Sequence, residues 1–115
     1  MTGTRFEVEF YNQAACKDYL SLDGSKRKMV QKGIARLAMR ADEIGKPLTG
    51  TLLGCKELKF RSDGIRVVFR IDEGVVSIVQ IIAIAQRDKG EAFDVATKRL
   101  EQPSNGAPVI RENLE

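Results

Sequence analysis

Apolar and polar residues alternate along some stretches of this chain and recur at helical spacing along others. The order of those stretches predicts the architecture. Phe6-Glu7-Val8-Glu9-Phe10 alternates with a period of two and predicts a first strand. Asn12 is a good N-cap for a short helix from about Gln13 to Leu20. Asp23-Gly24-Ser25 then breaks and recaps the chain. A longer helix is predicted from about Lys26 to Ile44. There Val30, Ile34, Leu37, Ala41 and Ile44 recur at spacings of four and three and form one apolar stripe. Gly45 and Pro47 end it. Short helix, tight break and long helix together predict an antiparallel helical hairpin packed on a sheet. Lys46 to Gly54 reads as a Gly/Thr-rich loop whose leucines tuck under that sheet.

The second half of the chain supplies the sheet. In Glu57-Leu58-Lys59-Phe60-Arg61, successive side chains point to opposite faces. Ser62-Asp63-Gly64 signals a turn, so Ile65 to Ile71 returns antiparallel. On it Ile65, Val67, Phe69 and Ile71 share one face, and Arg66, Val68 and Arg70 the other. If the apolar faces meet in one core, Lys59, Arg61, Arg66 and Arg70 gather on the opposite face. Val75 to Ala85 is nearly all apolar and β-branched, as in a central strand covered on both sides. Arg87 follows it, and a closing helix begins near Gly90 with Ala92, Phe93, Val95, Ala96 and Leu100. Pro103-Ser-Asn-Gly-Ala-Pro108 ends that helix. The expectation is one domain over residues 1–102 and a flexible tail over 103–115.

Two clusters of charge stand out against this frame. Several fixed cations on one sheet face suit a polyanion, of which a nucleic-acid backbone is the common case. A wet sheet face also carries Lys and Arg with no further role. On the long helix, Lys28, Lys32, Arg36 and Arg40 are each four apart, so they lie along one stripe. Such a stripe suits a phosphate backbone or an acidic protein.

Composition narrows the chemistry. The 115 residues carry 19 Lys+Arg against 16 Asp+Glu, a net charge of +3, so the local distribution says more than the total. There is no histidine, which excludes histidine-based triads, acid/base pairs and metal sites. Cys16 and Cys55 form no metal spacing and read as structural thiols. No phosphate-binding glycine motif points to a nucleotide, so no cofactor and no metal is expected. No apolar run reaches the ~20 residues of a membrane span, and the N-terminus shows no signal core. A cytoplasmic protein with reduced thiols is expected.

The stretches LTGTLLGCKELKFRSDGIRVVFRID and IIAIAQRDKGEAFDVATKRL resemble the RelE/ParE toxin superfamily of type II toxin–antitoxin modules, and within it the RelE branch of ribosome-dependent mRNA endonucleases. The resemblance in layout runs from Phe6 to Leu100. It implies an α+β fold of order β-α-α-β-β-β-α, with a mostly antiparallel four-stranded sheet. It also implies an antitoxin protein, the ribosome and mRNA as partners, with no metal and no membrane.

Residue by residue, Lys59 resembles a catalytic lysine of the second strand. Arg66 resembles the arginine that stabilises the scissile phosphate, and Arg87 the arginine implicated in protonating the leaving group. Glu57 stands where RelE has a further lysine, and Phe93 where it has a tyrosine. Phe93 retains the ability to stack on a base. Glu57 is a second base candidate, or a salt-bridge partner for Lys59 or Arg66. Arg61, Arg70, Lys89 and Phe93, with the helix stripe, complete the expected RNA-binding set. Two other readings remain at this stage: a ParE-like gyrase poison without nuclease chemistry, and a degenerate member that only binds its antitoxin and represses transcription.

Overall fold

The computed structural model describes residues 5–61, 64–73, 77–86, 89–104 and 107–108, without the side chains of 89–91 and 107–108. Its elements are β1 (Glu7–Phe10), α1 (Gln13–Leu20), α2 (Gly24–Arg40), β2 (Lys46–Pro47), a 3-10 turn (Gly50–Leu52), β3 (Cys55–Phe60), β4 (Ile65–Glu73), β5 (Ser77–Gln86), α3 (Lys89–Leu100) and β6 (Ala107–Pro108). The sheet order is β2-β3-β4-β5-β1-β6. Strands β3, β4 and β5 form an antiparallel meander, and β1 joins β5 in parallel. The long strands are the four expected. The two-residue strands β2 and β6 extend the sheet at its edges, where Pro47 and Pro108 stand. A proline suits an edge because it has no N–H to offer a further strand.

Local sequence explains the helix starts. The Asn12 side chain accepts from Ala15 N, and Asp23 from Lys26 N, so both act as N-caps. Helix α2 lays Val30, Gly33, Ile34, Leu37 and Ala38 on the sheet, as the four-three spacing requires. It ends at Arg40, earlier than its apolar stripe suggests. The reason is a long-range competition: Arg5 N and Phe6 N both donate to Ala38 O, at 2.9 Å each. The acceptor that would carry the helix onward is taken by the strand that enters β1. Gly45, at φ 89°, then turns the chain into β2.

The sheet is covered on both faces. One core lies under α1 and α2 and contains Phe10, Val30, Ile34, Leu37, Phe60 and Phe69, among others. A second contains Leu48, Leu52, Val68, Ile82, Ala92 and Ala96, where α3 and the loop after β2 close over the other face. That face is therefore wet only near the β3–β4 turn and is otherwise a packed core. Leu48 and Leu52 tuck in as expected, while Leu53 stays 78% exposed. Cys55 is buried in the second core, whereas Cys16 is half-buried beside the first.

A β-bulge opposite Val68/Phe69 lets the two cores coexist. Val68 pairs with Ala83 and Phe69 with Ile81, so Ile82 is the extra residue. Val79, Ile81 and Ile84 pack in the first core, and both Ile82 and Ala83 in the second. The strand's alternation thus shifts by one position beyond the bulge.

Of the segment expected to leave the body after Pro103, the described residues Ser104, Ala107 and Pro108 make contacts with that body. Ser104 Oγ donates to Tyr11 O at 2.9 Å, and the Tyr11 hydroxyl donates to Gln102 O. Ala107 and Pro108 pair with Phe10 and Glu9. The backbone of β1 and Tyr11 would otherwise leave polar groups open at the sheet edge, and these contacts satisfy them. Residues 105–106 and 109–115 lie outside the described residues.

Candidate nucleic-acid interface

The β3–β4 hairpin brings basic residues together through its register. Lys59 pairs directly with Arg66, and Glu57 with Val68. Gly64, at φ 65°, takes the left-handed conformation that closes the turn after Arg61. Like charges directly opposite each other repel, and Glu57 answers that repulsion. Its carboxylate pairs with the Arg66 guanidinium from a side chain only 2% exposed. Arg66 is itself 20% exposed, so it is a half-buried cation held by a buried anion, with part of its side chain still open to solvent. Lys59 and Arg61 are exposed.

An open groove of about 290 Å³ runs along this hairpin end, lined by Lys59, Phe60, Arg61, Gly64, Ile65 and Arg66. Phe60 and Ile65 belong to the first core, which makes the groove's floor stiff.

Other expected site residues are placed elsewhere. Arg70 sits at the far end of the hairpin, opposite Cys55. Its Nε donates to Gln80 Oε1 at 2.7 Å, and its guanidinium lies 5.2 Å from the Tyr11 ring centroid. Gln80 Nε2 in turn donates to Glu9 Oε2 and Ser104 Oγ, each at 3.2 Å. Arg70 therefore belongs to a network that fastens the chain after α3, and it does not join the groove. Burial pushes the Cys55 thiol above its usual range, and the nearby Arg70 pulls it the other way. Phe93 is half-buried against the second core. Arg87 and the side chain of Lys89 lie outside the described residues.

The helix stripe is on the opposite side of the sheet. Lys28, Lys32 and Arg36 are exposed, with no acidic partner among the described residues, while Arg40 Nε pairs with Glu43 at 3.0 Å. Lys26 and Arg27, which precede the stripe, are used internally. Lys26 Nζ donates to Gln86 Oε1 at 2.9 Å, and Arg27 donates to Leu20 O and Leu22 O. Two basic surfaces thus stand back to back, one on the hairpin end and one on the outer face of α2.

Sequence reasoning missed a half-buried pair that fixes α3. Arg99 Nη1 contacts Asp18 Oδ2 at 2.6 Å and donates to Ile82 O at 3.0 Å, while Asp18 Oδ2 accepts from Ile84 N at 3.1 Å. Strand β1 pairs with β5 only from Ile78 to Ile81, so the edge beyond is completed by these side chains. No local pattern announces a contact 81 residues apart in sequence. Among the described residues no group of three Cys, Asp or Glu is placed to hold a metal ion. No described helix is long and apolar enough to cross a membrane.

A meander with a parallel first strand, a helical pair on one face, and a closing helix beside a cationic hairpin define the class. This is an α+β domain with the fold of the RelE toxins. A doubly substituted, free form of the Escherichia coli toxin RelE superposes with a TM-score of 0.68 at 24% identity, covering 84% of this chain and 98% of that one. The isolated E. coli RelE toxin gives 0.62 at 25% identity, over 83% and 98%. A RelBE toxin–antitoxin complex from Mycobacterium tuberculosis gives 0.62 at 24%, over 73% and 93%. By sequence, the chain matches no protein-family model and no curated protein.

Proposed function

We propose that the chain is the toxin of a type II toxin–antitoxin module and cuts mRNA on the ribosome through the RNA's own 2′-hydroxyl. The observation that carries this reading is the Lys59–Arg66 pair, opposed across β3 and β4 and steadied by buried Glu57 at the head of an open groove. Such a reaction needs a base near the 2′-oxygen, fixed cations for the charge growing on the phosphate, and an acid for the departing 5′-oxygen.

Arg66 is suited to the phosphate, because a guanidinium offers two oxygens a bidentate fork. Its pairing with Glu57 holds that fork before substrate arrives, so little reorganisation is needed in the transition state. Arg61, on the groove's exposed side, adds a second cation. Lys59 is the base candidate with open access. Glu57, buried and engaged, is a positioning residue for Arg66 and not the base. Arg87 is the proposed acid for the leaving oxygen. Phe93 offers a surface on which a base can stack, with Lys89 nearby in the chain. The ribosome supplies the in-line geometry of the RNA, and this makes a small set of side chains sufficient.

The back-to-back basic surfaces support a ribosomal setting. The α2 stripe lies across the sheet from Lys59 and Arg66, and in this reading it meets a second RNA, a ribosomal one. An antitoxin protein is the proposed neutralising partner. The test is incubation of the purified chain with ribosomes programmed with a defined mRNA. Cleavage within the A-site codon is expected, and none in free mRNA. An intact message, with gyrase inhibited instead, would replace the nuclease by a gyrase poison.

A further inference from the structure

A second cavity, of about 360 Å³, opens at the end of β5 between the α1–α2 turn and α3. Its lining includes Ser21, Leu22, Ala85, Gln86, Val95 and Arg99. The volume is in the range of small-ligand sites. Its position is set by register. Lys59 pairs with Arg66 and Arg66 with Ala85, so the three stand in one row across neighbouring strands. Two strand spacings, ~10 Å, separate the ends of that row.

The chemistry of the cavity differs from that of the groove. Its charges are spent: Arg99 is paired with Asp18, and Lys26, beside it, donates to Gln86 Oε1. The remaining character is apolar walls from Leu22, Ala85 and Val95, with two oriented polar groups. Because the ammonium of Lys26 fixes which end of the Gln86 amide is oxygen, Nε2 is presented as a double donor with no acceptor among the described residues. Ser21 Oγ donates to Asp18 O at 2.9 Å, which leaves its lone pairs free to accept. A phosphate gains little here. A flat heterocycle with acceptors on its edge fits, and the Arg99 guanidinium, already held by Asp18 and Ile82 O, offers a planar surface to it.

We infer that this cavity is a nucleobase subsite, which reads one base of the RNA whose phosphate lies on Arg66. The inference rests on the proposed RNA reading of the groove. It adds that sequence preference comes from Gln86 and Ser21.

The test uses the full chain, labelled with ¹⁵N, and four 2′-O-methyl homotrinucleotides, which cannot be cut. The expected result is perturbation of the amides of Ser21, Gln86 and Val95 together with those of Lys59 and Arg66. The four affinities should differ. In Gln86→Ala the preferred trinucleotide should lose about fivefold, the weight of one hydrogen bond, and the four affinities should converge. Ser21→Ala should shift the order of preference in the same assay. Perturbation at Lys59 and Arg66 alone, or equal affinities in the parent, overturns the subsite and leaves the groove reading standing. No perturbation at either place overturns both.

Discussion

Gly33→Ala is a demanding test of the packing that positions the groove. The residue lies in the middle of α2, where a glycine costs ~1 kcal/mol relative to alanine. By helix propensity alone the change should stabilise. The structure says otherwise. A Cβ at Gly33 would stand 2.5 Å from Phe60 Cζ, 3.2 Å from Phe60 Cε1 and 3.3 Å from Leu58 Cδ2. Carbon atoms pack at ~3.5–4 Å, so the Phe60 ring must move by about 1 Å. Phe60 is 8% exposed and packed in the first core, so the only space open to the ring is the groove it lines, and moving there gives up core contacts. Overpacking of this kind costs ~1–3 kcal/mol. Set against the ~1 kcal/mol propensity gain, the net is a loss of ~1 kcal/mol. At this chain length that is a fall in Tm of about 4 °C.

The assay is thermal unfolding followed by circular dichroism, with Phe60→Leu and the double variant completing a cycle. Phe60→Leu alone should destabilise, and the alanine should then be neutral or favourable in its presence. Because Phe60 also lines the groove, Gly33→Ala should weaken RNA contact at Lys59 and Arg66. A rise in Tm for Gly33→Ala would refute the close approach of α2 to β3.

Three further outcomes follow from the contacts described. Asp23 is held below the usual carboxylate range, chiefly by the Lys26 backbone N–H and then by the Ser25 hydroxyl, and Asp42 is held there by Arg5. A depressed carboxylate stabilises above its unfolded value near ~3.9 and loses that contribution as pH falls through its folded value, so Tm should drop below about pH 4, and Asp23→Ala should flatten that limb. Ser104→Ala removes two hydrogen bonds that fasten the chain after α3 and should cost ~1–2 kcal/mol in denaturant unfolding; truncation after Gln102 should cost more, and an unchanged midpoint would mean that β6 and Ser104 hold nothing. Lys32→Glu with Arg36→Glu should leave Tm unchanged, weaken ribosome binding and reduce its salt slope by ~1 or more, whereas unaltered binding would make the stripe plain solvated surface.

The sequence made the local parts of this fold legible, and the long-range parts stayed hidden. The caps Asn12 and Asp23 and the stripe of α2 follow from chemistry within one turn. The placement of Lys59 and Arg66 on one sheet face follows from alternation and the turn at Gly64, and was readable; their direct pairing came with the register. The end of α2 at Arg40 was not readable, because its cause is a donation from Arg5 and Phe6. Nor was the bulge at Ile82, since a run of apolar residues gives no sign of where its alternation shifts.

Arg70 looked like its neighbour Arg66 in the sequence. It differs because Gln80 and Tyr11 claim it, from β5 and from the end of β1. Glu57 carries two readings in the sequence; its carboxylate is almost without solvent access and touches Arg66, which is the geometry of the salt-bridge reading. The contacts of Ser104, Ala107 and Pro108 were hidden for the same reason as that of Arg99, whose partner Asp18 is far away in the chain.

The most direct measurement of the central claim is single-turnover cleavage of mRNA on programmed ribosomes by the parent, Arg66→Ala and Lys59→Ala, with ribosome affinity measured for each. Losing one group that stabilises the transition-state charge typically costs ~10²–10³ in the chemical step. The account predicts a loss of that size for Arg66→Ala at saturating ribosomes, with affinity changed little, a smaller loss for Lys59→Ala, and partial loss for Glu57→Gln through a less constrained Arg66. Cleavage by Arg66→Ala at the parent rate, or a parent that leaves ribosome-bound mRNA intact, would contradict it.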